Sequence, residues 1–189
     1  MIHETCKMIA NFLYHNDIIR EDEIAVYTYG YETFISGLID FSFALLFGFL
    51  FHRMICAIIF FIMFVSVRMH TGGYHADSYT KCKMLFSLMI SFVLGTTYMN
   101  LSVYCVILMM IIFLLIVWKY APIENPNKPL TIEDKERYCF ISQIFSASWS
   151  LIAIIIYFSM PCISVTIAST AFVIALLVIA GVSKNDKIY

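Results

Sequence analysis

The sequence predicts an all-α protein that crosses a membrane several times. Of its 189 residues, 61% are hydrophobic and only 13% are charged, and the mean hydropathy is +0.86. A soluble domain has about 45–50% apolar and about 25% charged residues, so this composition excludes an ordinary water-soluble fold. The net charge of −1 provides no basic surface for nucleic acid. We therefore expect a single membrane-embedded domain over residues 1–189.

An N-terminal arm, residues 1–32, precedes the first long apolar run. Apolar residues recur there at helical spacing, which predicts an amphipathic helix lying on the membrane surface or on a partner. This stripe consists of Ile2, Cys6, Ile9 and Leu13. The acidic residues 21–23 suit the first turn of a second helix, where the helix dipole favours negative charge. The arm lacks the continuous apolar segment of a secretory signal peptide, so we expect none.

Six apolar runs follow the arm, and each predicts a transmembrane helix, which needs about 20 apolar residues. The runs cover 33–51, 54–67, 84–99, 101–118, 139–158 and 161–180. The second is short, because its residues rise only about 21 Å as a helix, and a re-entrant segment is the alternative there. The third and fourth form one apolar stretch that is too long for a single crossing. We therefore expect a break near Asn100.

The distribution of Lys and Arg predicts the orientation of these spans. Eleven of the twelve lie in the arm, the second loop, the fourth loop and the tail, and only Arg53 lies in the first loop. Because cytoplasmic loops carry an excess of Lys and Arg, both termini and loops two and four are expected in the cytoplasm. The fourth loop covers residues 119–138, and its prolines favour extended backbone. Thr131 and Asp134 then resemble a capping box that opens a helix into the fifth span.

The second loop, residues 68–83, concentrates the reactive side chains. It contains His70, His75, Asp77 and Cys82. Cys82 lies between Lys81 and Lys83, whose charges we expect solvent to screen. The other cysteines are scattered without the spacing of a disulfide framework or a zinc ribbon. A free thiol has a pKa of about 8.5, and a neighbouring imidazole is its usual activator, so the loop contains a candidate nucleophile and candidate bases.

The spacing of His75 and Cys82 restricts how they can meet. Seven residues rise about 10.5 Å along a straight helix, which is too far for a thiol–imidazole hydrogen bond. We therefore expect a break between them, with His75 in a turn and Cys82 in the first turns of the third span. The positive end of that helix would favour a thiolate. Asp77 either orients His75 or caps the helix.

Other interpretations remain open on the residues alone. His70, His75 and Cys82 are all accepted zinc ligands, which makes a small transporter or metal-binding protein an alternative, although their spacing matches no familiar zinc pattern. A membrane scaffold without catalytic activity is another. Asp40 lies inside the first span, where a carboxylate is by default a functional hypothesis, but it can also pair with Ser36 or Ser42 for packing alone.

The motif in the second loop resembles the accessory gene regulator B (AgrB) family of Gram-positive bacteria. The matching residues are Arg68, His70, Gly73, His75 and Cys82, after a short apolar span. The resemblance extends over nearly the whole chain. It includes Ala121-Pro122 and Asn127-Lys128-Pro129-Leu130 in the fourth loop.

This resemblance implies a cysteine endopeptidase of quorum sensing in the bacterial cell membrane, without a cofactor or metal. Its substrate would be a small precursor, an AgrD-like peptide, from which it cuts the C-terminal part. Cys82 would be the nucleophile and His75 the general base, while Arg68, Gly73 and Lys128 match positions that support activity or substrate handling. The resemblance gives Asp77 no catalytic role. It also implies a homodimer and a cyclic thiolactone or lactone product.

Overall fold

The computed structural model describes residues 2–73, 79–123 and 131–185. These residues form α-helices joined by short connections and contain no strand, which confirms the predicted all-α class. The helices are α1 (Ile2–His15), α2 (Ile24–Leu50), α3 (Met54–Thr71), α4 (Tyr79–Thr96), α5 (Val103–Tyr120), α6 (Ile132–Ile156) and α7 (Pro161–Asn185).

Helices α2 to α7 coincide in order with the six predicted apolar runs. Five of them are long and apolar enough to cross a membrane, as judged within the described residues, so the chain is a multi-pass membrane protein. The exception is α4, whose first turns include Lys81 and Lys83. The count of six crossings therefore stays a prediction. The expected break near Asn100 is confirmed, because α4 ends at Thr96 and α5 begins at Val103.

Helix α3 is longer than the apolar run that predicted it. It contains 18 residues and continues through residues 68–71, three of which are polar, because no helix-breaking residue precedes Gly72. Its 18 residues rise about 27 Å, so the length of α3 no longer favours the re-entrant alternative. Helix α4 begins at Tyr79. The predicted loop 68–83 is thus helical at both of its ends, and only 72–78 separate the two helices.

Polar residues begin two of the helices as expected. Glu21–Glu23 forms a 3-10 turn that leads into α2, and Glu23 Oε2 accepts a hydrogen bond from the backbone N–H of Arg20 (2.9 Å). Thr131 caps α6, because its hydroxyl oxygen accepts from the backbone N–H of Asp134 (3.1 Å). The Asp134 carboxylate accepts from the Thr131 hydroxyl (2.8 Å), whereas the longer Glu of a standard capping box reaches the backbone.

The chain separates into two compact units, residues 1–43 and 44–189. In the first unit, α1 confirms the predicted N-terminal helix, and Cys6 and Ala10 are fully buried. Met8 and Phe12 are exposed, so apolar side chains lie on more than one face, and the amphipathic membrane contact stays a prediction. The boundary between the units falls inside the continuous helix α2, beyond the predicted end of the arm, and the division does not test the single membrane domain.

In the second unit, α7 is the central helix, and it packs against α3, α4, α5 and α6. Of its candidate span, 72% is buried, compared with 11–33% for the others. Its buried positions include small residues, which let neighbouring backbones approach closely. Those that are fully buried are Ser164, Thr166, Ala168, Ser169, Thr170 and Ala171.

Hydroxyl groups on α7 link it to its neighbours. Ser169 Oγ lies 2.7 Å from Thr96 Oγ1 at the end of α4. Ser164 Oγ donates to the Ala153 carbonyl of α6 (2.7 Å). An unpaired hydroxyl in an apolar interior is costly, so these hydrogen bonds favour one register of α7 against α4 and α6.

Replacing Ala168 by leucine tests the central position of α7. Ala168 is fully buried, so we expect Ala168→Leu to lower the melting temperature in detergent through overpacking, which typically costs about 1–3 kcal/mol. Ala147→Leu is the matched control, because Ala147 is exposed on α6. Equal melting temperatures for the two variants would contradict the packing described here.

Candidate active site

Cys82 lies on the first turn of α4, which begins at Tyr79. This position confirms the expectation that Cys82 lies in the first turns of the third predicted span. Its thiol is free and exposed. The first turn of a helix presents backbone N–H groups and the positive end of the dipole, and both favour a thiolate over a thiol.

The guanidinium of Arg68 interacts electrostatically with Cys82. Arg68 is on the last turn of α3, where its Nη1 donates to the carbonyl oxygen of Gly72 (2.9 Å). The Arg68 Cζ atom also lies 5.9 Å from the centroid of the Phe64 ring. These contacts restrain the cation at the end of α3, within electrostatic range of Cys82 on α4.

Two glycines form a defined turn next to Arg68. Both Gly72 (φ +67°) and Gly73 (φ +123°) adopt backbone conformations that L-residues rarely take. A Cβ on Gly73 would lie 2.6 Å from Arg68 Nη1 and 3.2 Å from the carbonyl oxygen of Leu177 on α7. A Cβ on Gly72 would overlap the carbonyl oxygen of Ile123. The structure therefore requires the absence of side chains at both positions for close approach.

The start of the fourth loop is joined to the end of α3. The backbone N–H of Ile123 donates to the carbonyl oxygen of Thr71 (2.9 Å), and the preceding Ala121–Pro122 peptide bond is cis. A cavity of about 380 Å³ lies between this segment and the first turns of α6, and Pro122, Lys135 and Glu136 are among its lining residues. The cavity combines apolar walls with one residue of each charge.

His70 is directed away from Arg68, because residues two positions apart lie about 200° apart around a helix. Its Nδ1 donates to the carbonyl oxygen of Ser66 (2.8 Å). Its ring stacks on Phe145 with 5.4 Å between centroids and meets the edge of Tyr138, both on α6. His70 is therefore a packing residue between α3 and α6, and the structure does not bring it to the Arg68–Cys82 site.

Three of the candidate site residues, His75, Asp77 and Lys128, lie outside the described residues. The predicted pairing of His75 with Cys82 and the roles of Asp77 and Lys128 are therefore not tested. The described parts of the chain contain no group of three or more His, Cys, Asp or Glu residues that could hold a metal ion. Because His75 is not among them, the zinc-site alternative also stays untested.

Lys83 differs from the exposed cation that the sequence suggested. Its side chain is only 8% exposed, and its Nζ lies 4.9 Å from the centroid of the Tyr79 ring, one turn earlier on α4. Lys81 is exposed as expected. The spacing of four residues between Tyr79 and Lys83 was the available signal, because it places both on one helix face.

Comparisons with known proteins show which family this chain resembles. A sequence model of the family described as Accessory gene regulator B matches residues 6–181. The AgrB-like protein 2 of Clostridium perfringens (strain 13 / Type A) is 27% identical over 176 residues, which cover 80% of this chain and 82% of that protein. The AgrB-like protein of Clostridium perfringens (strain SM101 / Type A) is 26% identical over 197 residues, which cover 88% and 92%. No solved structure matches the chain.

The family match includes every element from α2 to α6 and most of α7. It therefore contains Arg68 at the end of α3, Gly73 after it and Cys82 at the beginning of α4. The motif that suggested the family from the sequence lies inside the matched region. The chain belongs to the accessory gene regulator B (AgrB) family.

Proposed function

We propose that this protein is a membrane cysteine endopeptidase that processes a small quorum-sensing precursor, an AgrD-like peptide. The observation that carries the proposal is the exposed thiol of Cys82 on the first turn of α4, in electrostatic interaction with the restrained guanidinium of Arg68. Membership of the AgrB family supports it, because that family is associated with the processing of autoinducing peptides. A cation, a helix N-terminus and an accessible thiol together favour a reactive thiolate.

In the proposed reaction, His75 accepts the proton of the Cys82 thiol. The thiolate attacks the carbonyl carbon of the scissile peptide bond, and His75 then donates the proton to the leaving amine. The C-terminal fragment departs, and the N-terminal part remains on Cys82 as a thioester. Arg68 stabilises the negative sulfur before attack through its electrostatic interaction with Cys82.

The thioester permits ring closure. A cysteine of the bound peptide attacks the thioester carbonyl, which releases Cys82 and forms a thiolactone. One thioester replaces another in this step, so little free energy is lost, whereas hydrolysis would discard the energy of acylation. A serine in place of that cysteine would give a lactone. Exclusion of water at the membrane interface favours the cyclisation over hydrolysis.

We further propose six crossings, with the Cys82 site on the cytoplasmic face, where a newly made precursor is available. Arg53 precedes the first turn of α3 and Arg68 lies on its last turn, so the two cations mark opposite ends of one helix. The cationic residues Lys81, Lys135 and Arg137 lie at the beginnings of α4 and α6. The excess of Lys and Arg at these ends fits the cytoplasmic side. A homodimer stays an expectation from the family.

Removing the nucleophile tests the proposal. We expect Cys82→Ala to reduce cleavage of a precursor peptide in proteoliposomes by about 10³-fold or more, and to abolish a trapped peptidyl thioester. Cys105→Ala is the matched control, because Cys105 is also an exposed free cysteine. His75→Ala should give a comparable loss. Normal cleavage by the Cys82 variant would exclude the cysteine mechanism.

Adding one methyl group at Gly73 tests the supporting turn. The Cβ of Gly73→Ala would displace the Arg68 guanidinium, and the positive φ adds strain of about 1–3 kcal/mol. We expect cleavage to fall about 10-fold or more while the helical content is retained. Gly95→Ala is the control, since beyond the local helix backbone no atom lies within 4 Å of a Cβ built there. Unchanged cleavage by Gly73→Ala would show that activity does not depend on the position of the Arg68 guanidinium set by this turn.

A further inference from the structure

The structure brings together two thiols that the proposed reaction does not use. The Sγ atoms of Cys56 and Cys162 are 3.3 Å apart, although the residues are 106 positions apart in the sequence. Cys56 lies on the first turn of α3 and Cys162 on the first turn of α7. Cys56 is only 4% exposed and Cys162 is half-buried. Each thiol therefore has the other as a close sulfur neighbour at the meeting of two packed helices.

A cation lies close to this pair. Arg53 precedes α3, and its guanidinium interacts electrostatically with Cys56. The Arg53 Cζ atom is 4.7 Å from the centroid of the Tyr98 ring, which restrains it. Thiol–disulfide exchange requires a thiolate, and burial disfavours one at Cys56, so the less buried Cys162 is the first to react. The half-buried position of Cys162 gives a small oxidant access to one of the two sulfur atoms.

We propose that Cys56 and Cys162 form a reversible intramolecular disulfide that links the first turn of α3 to the first turn of α7. A disulfide has an S–S length of about 2.05 Å, so the two sulfur atoms must approach by only about 1.2 Å. The oxidant is a small-molecule disulfide such as oxidised glutathione. A metal site fits less well, because the described residues supply no third His, Cys, Asp or Glu beside these two thiols.

The exchange proceeds in two balanced steps. The Cys162 thiolate attacks one sulfur of the oxidant, which forms a mixed disulfide and releases one small thiolate. The Cys56 thiolate then attacks the sulfur of Cys162 and releases the second small thiolate. The two cysteines lose two electrons and two protons, and the oxidant is reduced to two thiols.

The proposed disulfide would affect how α3 and α7 are spaced. Helices α3 and α7 also meet at the other end of α3, where Gly73 approaches the carbonyl oxygen of Leu177. A disulfide at the first turns would fix the spacing of α3 and α7, which support the glycine turn next to Arg68. In the proposed orientation these first turns face the outside of the cell, where oxidising conditions allow disulfides to persist. The outward position of these turns rests on the proposed orientation, whereas the sulfur contact does not.

Counting free thiols tests the proposal on the full chain in detergent. The protein is treated with oxidised or reduced glutathione, denatured, and alkylated with a maleimide polymer that reports each of its six cysteines. We expect the oxidised protein to lose two reactive thiols, and mass spectrometry to identify a linked Cys56–Cys162 peptide. Retention of all six thiols, or linkage through Cys82 in place of this pair, would overturn the proposal.

Two variants make the assignment specific. Cys56→Ser should keep its five thiols after oxidation, whereas Cys105→Ser should lose two of five. The bond should also raise the melting temperature of the oxidised wild-type protein by several degrees, because it closes a long loop in the unfolded chain, and Cys56→Ser should show no such rise. Performing the thiol count in the Cys82→Ala background separates this result from the peptidase proposal, because that background does not require cleavage.

Discussion

The close approach of the Gly73 backbone to α7 determines where the Arg68 guanidinium can lie. Only a residue without a side chain fits between Arg68 Nη1 and the Leu177 carbonyl oxygen. That approach depends in turn on α7 being central, which its small and hydroxyl side chains permit. Apolar packing cannot drive helix association in lipid as it does in water, so close contact and interhelical hydrogen bonds must supply the stability. The site is thus supported by the same helix that organises the second unit.

The support from α7 matters because it helps to position the positive charge of Arg68. A guanidinium near the membrane interface is costly unless its charge is compensated. Arg68 obtains compensation from the Gly72 carbonyl oxygen, the Phe64 ring and its interaction with Cys82. Of these three, only the interaction with Cys82 depends on the ionisation of the thiol. The charge of the buried Lys83 is likewise compensated in part by a ring, since its ammonium lies over Tyr79.

The sequence predicted the helices well because long apolar runs and a polar break are local signals. The cap at Thr131 and the position of Cys82 on the first turn of α4 were predictable for the same reason. The helical state of Arg68 was missed, because polarity suggested a loop where no residue interrupts the helix. The contact between Cys56 and Cys162 was also missed, since it depends on how α3 packs against α7. Pattern alone carries no information on such long-range contacts.

The rate at which Cys82 is alkylated tests the central claim most directly, because only the thiolate reacts. Iodoacetamide labelling at neutral pH, followed at the Cys82 peptide by mass spectrometry, would compare the wild type with Arg68→Gln. We expect labelling that is several-fold slower in Arg68→Gln and unchanged in Arg137→Gln, because Arg137 is exposed on α6. Equal labelling rates in all three proteins would show that Arg68 does not favour the Cys82 thiolate.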